Sequence, residues 1–235
     1  MDAPDLKPGL RRLVLDALDD PYQSNSCQDG IPTDNHYQSI TLGTETTPGF
    51  RSVRDDVLDQ IDFVGKTVLD LGSNLGELSR AARGRGATLV DGFEYDPYFV
   101  DVANAVNAFN GVTRVSFFER DITAEATFTE RYDIVLAFSV WVYVRPLLPL
   151  VTGIANDLFV LETHRLEDNL ADYYLAPVLE LMPHHRTLGD SEWGLVGGDR
   201  GRRAVVAFAR SQETLDRCLA APTRARRSRL KARAA

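Results

Sequence analysis

The stretch Lys66-Thr67-Val68-Leu69-Asp70-Leu71-Gly72-Ser73-Asn74-Leu75-Gly76-Glu77 decides the fold. A short apolar run of strand length passes into small residues, and a helical pattern begins at once in GELSRAAR, residues 76–83. Glycine adopts positive φ without steric cost and Asn tolerates it nearly as well, so Gly72, Asn74 and Gly76 fit a tight turn. Small residues there, Ser73 included, let backbone N–H groups approach a ligand.

Downstream, strand and helix patterns alternate. ATLVDGFEY (Ala87–Tyr95) reads as a strand. Asp96-Pro97 reads as a helix N-cap with proline at the first position, opening a helix with Phe99, Val102, Ala103 and Val106 on one face. VSFFER (Val115–Arg120), YDIVLAFSV (Tyr132–Val140) and DLFVLETH (Asp157–His164) are three more apolar strands. Pro177 should kink or split the helical LEDNLADYYLAPVLEL. Two last strands, His184–Asp190 and Arg203–Arg210, are joined by a connection too short for a crossover helix, so they should pair antiparallel. Near-continuous apolar strands separated by helices imply a sheet covered on both faces. The expectation is a doubly wound α/β domain: a mostly parallel, seven-stranded Rossmann-like sheet with an antiparallel C-terminal hairpin and ligands at the strands' C-terminal ends.

Upstream, residues 1–50 are rich in Asp, Pro, Gly, Ser, Thr and Asn and read as an irregular arm, with one helical pattern at Leu10–Leu18 and an extended piece around Tyr37–Leu42. Ser52–Phe63 suggests a helix carrying Val53, Val57 and Ile61. The division expected is an arm over 1–50, the α/β domain over 51–212 and a basic tail over 213–235.

The 235 residues are 44% hydrophobic and 26% charged, ordinary globular usage that excludes disordered and fibrous classes. Net charge is -8, and the six positives of the tail from Pro222 leave residues 1–221 near -14, which weighs against a nucleic-acid-binding body. Two cysteines, Cys27 and Cys218, cannot form a disulfide framework, and no segment has the apolar length of a membrane span, so a cytoplasmic protein is expected. The four histidines (36, 164, 184, 185) show no metal-ligand spacing, and no metal is expected.

Residues at the strand ends carry the chemistry. Glu94, 22 residues after Gly72, is placed to accept the hydroxyls of a ribose, with Tyr95 beside it. Asp121 ends the third strand where it could accept from an adenine amine, followed by Ile122, and Phe138 offers apolar cover. A nicotinamide fingerprint fails twice, at Asn74 and at Glu77, whose charge would repel a pyrophosphate. Glu162 and His164 fall on one face at the fifth strand end, where His164 could act as base and Glu162 could orient it. Trp141, Tyr143, Tyr173 and Tyr174 are candidate pocket walls.

Residues 64–164 resemble a class I S-adenosylmethionine-dependent methyltransferase, whose pattern D-x-G-x-G-x-G is matched by Asp70 to Gly76 with Asn74 for the middle glycine. The resemblance implies S-adenosylmethionine as cofactor, its methionyl end near Asp70, Gly72 and Gly76, its ribose on Glu94 and its adenine by Asp121 and Ile122. A donor with no phosphate and a positive sulfonium suits this acidic strand end. His36-Tyr37-Gln38-Ser39-Ile40 with Thr47-Pro48-Gly49-Phe50 is also similar to the W-Y-H-x-I…T-P-G segment of the transferases that build 5-carboxymethoxyuridine at the tRNA wobble position, departing at His36 and Gln38. That likeness implies an arm folded across the donor, Tyr37 included. The reading is O- or N-methylation of a small-molecule acceptor; 23 Arg against 3 Lys hint at a GC-rich genome, hence at specialised metabolism such as antibiotic biosynthesis. A tRNA-modifying transferase and a non-catalytic donor-binding domain stay open, and a homodimer is compatible with the sequence.

Overall fold

The computed structural model describes residues 36–47, 49–51, 55–163, 170–193 and 201–219. Four short strands make up the arm: β1 (His36–Gln38), β2 (Ile40–Leu42), β3 (Glu45–Thr47) and β4 (Gly49–Arg51). The chain continues through α1 (Asp55–Leu58), β5 (Thr67–Leu71), α2 (Glu77–Gly84), β6 (Leu89–Glu94), α3 (Pro97–Asn110), β7 (Val115–Glu119) and β8 (Tyr132–Ala137). Then come α4 (Trp141–Val144), α5 (Leu148–Ile154), β9 (Ala155–Glu162), α6 (Ala176–Leu179), β10 (His184–Trp193), β11 (Gly201–Ala209) and α7 (Gln212–Cys218).

Seven strands form one sheet in the order β10-β11-β9-β8-β5-β6-β7. Neighbours from β9 to β7 run parallel, while β11 is antiparallel to both β9 and β10. The expected architecture is therefore present. Its register follows from the two-residue period: Val68, Ile134, Leu136, Leu158, Val160 and Val205 enter one core, and Leu69, Val135, Ala137, Phe159, Leu161 and Val206 enter the other. Both faces are buried at the centre of the sheet, so β8 and β9 read as near-continuous apolar runs.

The cap at Asp96 forms as its sequence dictates: the carboxylate accepts from Tyr98 N–H at 2.9 Å, Pro97 opens α3, and Gly111 closes it at φ 63°. Phe99, Val102 and Val106 of α3 pack with Leu75 and with Ile40 of the arm, forming a third, small core. Asn110 ties the same arm to the helix end, accepting from Gly43 N–H at 2.9 Å and donating to the Thr41 carbonyl at 2.6 Å.

Several boundaries move. The helix expected over Ser52–Phe63 is described only over Asp55–Leu58, residues 52–54 lying outside the described chain. Ile61 leaves the helical path to bridge Leu219, while Asp62 N–H donates to the Cys218 carbonyl at 2.8 Å. That contact also corrects the tail boundary. Residues 212–218 form a helix capped by Ser211, and Leu215, Cys218 and Leu219 are buried, so the domain runs to Leu219. Around Pro177, a wide π-turn at Leu170–Leu175 hands over to α6, which opens with Pro177 in its first turn, where no N–H is needed. The helical pattern at Leu10–Leu18, Cys27 and the basic stretch 222–235 lie outside the described residues. Among the described residues no helix is long and apolar enough to cross a membrane.

Candidate functional site

The site is built from the turn after β5. Gly72, Asn74 and Gly76 all have positive φ, at 67°, 51° and 79°. Two of these positions also need glycine for space. A Cβ on Gly72 would stand 2.5 Å from Val140 Cγ1, and one on Gly76 would stand 2.1 Å from Phe117 Cζ.

Four of the turn's amides are engaged within the protein. Gly72 and Ser73 N–H both donate to the Phe93 carbonyl, at 2.9 and 3.0 Å, and Gly76 N–H donates to the Ser73 carbonyl. Asn74 N–H donates to Glu94 Oε2 at 2.8 Å. What the turn offers instead is side chains: Ser73 Oγ and Asn74 Oδ1 are buried and have no hydrogen-bond partner among the described residues. A buried polar atom left in that state costs free energy comparable to a lost hydrogen bond, so the pair is suited to a polar ligand.

Glu94 closes β6 beside the turn. Its Oε1 accepts from Tyr95 and Asp96 N–H at 2.8 and 3.1 Å, in addition to the Asn74 bond on Oε2. A carboxylate has about four acceptor positions, so capacity is left for a ligand hydroxyl. Burial lifts this carboxyl above its ordinary range, with the three backbone bonds pulling the other way.

Asp70, at the fourth position of β5, lies beneath the turn and is buried. Ser79 of α2 donates to its Oδ2 at 2.6 Å. Burial raises the carboxyl to about 7, the Ser79 bond opposing and the charge of Glu94 adding to the rise. Arg80 sits close by, its guanidinium donating to the Leu75 carbonyl at 2.7 Å; burial lowers it only to about 10, so it stays charged at neutral pH. The arm reaches the same place: Gln38 Oε1 accepts from Glu77 N–H, at the start of α2, at 3.4 Å. Sequence reading missed both Arg80 and Gln38, whose partners are set by helix packing.

The other expected residues share this edge of the sheet. Tyr95 is exposed; Ile122 and Phe138 are buried, each in a different core. Asp121 is exposed, and its Oδ1 accepts from Thr123 N–H and Thr123 Oγ at 2.8 and 2.6 Å, bonds that hold its carboxyl below the usual range. Tyr37 lies in β1; its side chain is not among those described.

At the end of β9, Glu162 is fully buried and accepts from Ser139 Oγ at 2.6 Å, with Arg203 3.7 Å away. His164 lies outside the described residues, so its pairing with Glu162 stays an expectation. Arg203 was not foreseen, though an arginine inside the apolar strand RAVVAFA was the available signal. Trp141 and Tyr174 are buried against each other with ring centroids 5.3 Å apart, while Tyr173, with Arg145 over its ring at 4.5 Å, and Tyr143 are exposed.

No protein-family model matches this chain, and no curated protein matches it in sequence. Solved structures do match. The bifunctional kinase-methyltransferase WbdD aligns over 86% of this chain and 46% of its own, at 16% identity and a TM-score of 0.61. A putative RNA methyltransferase from Pyrococcus horikoshii aligns over 66% of this chain and 78% of its own, at 24% identity and 0.53. A putative S-adenosylmethionine-dependent methyltransferase from Streptococcus mutans aligns over 66% and 47%, at 16% identity and 0.51. The chain thus spans about half the length of WbdD, and it shares the fold of these proteins.

Proposed function

We propose that this protein transfers a methyl group from S-adenosylmethionine to a small-molecule acceptor. The observation that carries the reading is the pair of buried, unpartnered atoms Ser73 Oγ and Asn74 Oδ1, set between buried Asp70 and a Glu94 carboxylate with acceptor capacity left. The shared fold with methyltransferases of known structure supports it.

When bound, the donor supplies an electrophilic methyl on a sulfonium. The protein's part is to bind and align, because an in-line displacement needs donor carbon and acceptor atom within about 3–3.5 Å. Glu94 accepts a ribose hydroxyl, with Ser73 and Asn74 beside it. Asp121, Ile122, Phe138 and Tyr95 frame the base. Asp70 answers the positive end of the donor, and the arm with Tyr37 covers it. Tyr143 and Tyr173, exposed at the edge beyond β8, wall the acceptor side, and His164 takes the acceptor proton. The likeness of the arm to the wobble-uridine transferases rests on residues 36–40 and 47–50 alone and leads to a tRNA acceptor; the acidic body favours the small molecule.

Calorimetry with S-adenosylhomocysteine tests the donor, and mass spectrometry of acceptor libraries with isotopically labelled donor tests the transfer. Micromolar binding with a labelled small-molecule product is the expected result. Tight binding with no product from any library would leave a donor-binding domain, and steeply salt-dependent tRNA binding would move the acceptor to RNA.

A further inference from the structure

Three side chains from three strand ends meet below the surface at the C-terminal edge of the sheet. Ser139, two residues past β8, donates to Glu162 Oε2 at 2.6 Å and accepts from an Arg203 guanidinium N–H at 3.0 Å. The same guanidinium nitrogen stands 3.7 Å from that carboxylate oxygen. Glu162 is wholly buried and Arg203 is 6% exposed. A buried ion pair contributes little net stability, because desolvating both charges offsets most of their attraction. What it fixes is geometry.

The geometry fixed is that of Ser139, whose φ of 63° is disfavoured for any residue with a Cβ. Such a conformation persists only where its surroundings over-determine it. The next residue, Val140, then packs against the glycine turn so closely that a Cβ on Gly72 would be 2.5 Å from its Cγ1. The Val140 carbonyl also accepts from Tyr143 and Val144 N–H at 2.9 and 3.1 Å, the first bonds of α4. One hydroxyl thus links β9 and β11 to the wall of the site built on β5.

We propose that Arg203 and Glu162 are positioning residues for donor binding, acting through Ser139 and Val140 on the turn at Gly72; the inference rests on the donor reading above. Neither side chain has to touch the donor to act in this way. Glu162 thereby has a role that needs no contact with His164.

The test separates holding the fold from shaping the site. Arg203→Met alone would take the guanidinium from beside a buried carboxylate and would unfold early, so the informative variants are Arg203→Met/Glu162→Gln, which removes both charges, and Ser139→Gly, which suits the positive φ but loses the hydroxyl. Both are expected to melt close to the native protein yet to bind S-adenosylhomocysteine about tenfold more weakly. The amides of Tyr143 and Val144 should also exchange faster with deuterium. Arg203→Lys, which keeps the charge, should recover part of the affinity. Native affinity in both variants would overturn the proposal, and so would weakened binding with unchanged exchange at residues 143–144. If the native protein bound no S-adenosylhomocysteine, the donor reading would fall, while exchange in the unliganded variants would still decide whether the three side chains hold the turn.

Discussion

Glu94 and Glu162 close two strands of one sheet and are held by opposite means. Glu94 is gripped by three backbone N–H groups, from Asn74, Tyr95 and Asp96, and keeps acceptor capacity for a ligand. Among the described residues, Glu162 is held by the side chains of Ser139 and Arg203, and it keeps no exposed surface. Backbone donors do not depend on side-chain identity, so the first grip is set by the path of the chain at 74, 95 and 96. The second depends on two particular residues from distant parts of the chain and turns its carboxylate inward. One carboxylate is fixed by the backbone path, the other by side chains from distant parts of the chain.

Just past Glu162 the chain reaches His164, and here the comparison can be broken most visibly. If the acceptor end needs a base, His164→Ala lowers turnover by roughly 10²–10⁴ and leaves S-adenosylhomocysteine affinity intact. The native pH–rate profile should rise through one ionisation near neutrality, and the variant should lose that limb. Near-native turnover would mean that the acceptor proton goes to water and that the β9 end is structural throughout.

Glu94→Ala attacks the other end. A charge-assisted hydrogen bond contributes about 1.5–3 kcal/mol, so donor affinity should fall about 10- to 150-fold. The variant should also melt earlier, because three N–H groups lose their acceptor. An unchanged dissociation constant for S-adenosylhomocysteine, measured by calorimetry, would remove Glu94 from the binding site and erase the contrast with Glu162.

The contrast also explains what could be read from the sequence. The turn at Gly72–Gly76, the Asp96-Pro97 cap and the strand runs are local signals, each set by a few adjacent residues, and the structure follows them. The antiparallel pairing of β10 and β11 was legible from the length of their connection. The partners of Arg203 and the bridge between Ile61 and Leu219 were not legible, because each is decided by residues far along the chain. Glycine spacing pointed to the turn but not to its amides being spent on Phe93 and Glu94, which is a matter of how β5 and β6 align.

The smallest expected effect concerns another buried carboxylate, Asp70, which is bonded to the neutral hydroxyl of Ser79 where Glu162 has a guanidinium nearby. Burial lifts its carboxyl from 3.8 to about 7. The folded protein therefore holds this proton more tightly than the unfolded chain does, so the group's contribution to stability is full at acid pH and is lost as pH rises from about 4 to 7. Glu94, also raised mainly by burial, acts in the same direction, and Arg80, charged throughout this range, partly opposes the rise at Asp70. A positively charged ligand at this strand end favours ionised Asp70, so it binds with release of a proton. Affinity for S-adenosylmethionine should rise between pH 6 and 8, by less than about tenfold, and level off above the carboxyl's midpoint. Calorimetry in two buffers of different ionisation enthalpy reads the released proton directly. In Asp70→Asn the proton release should shrink, and the variant's melting temperature should fall less than the native one between pH 5 and 8. Equal slopes in native and variant protein would assign the titration to Glu94 and leave Asp70 as a neutral partner of Ser79, a buried carboxyl that shapes the turn as Glu162 shapes its own.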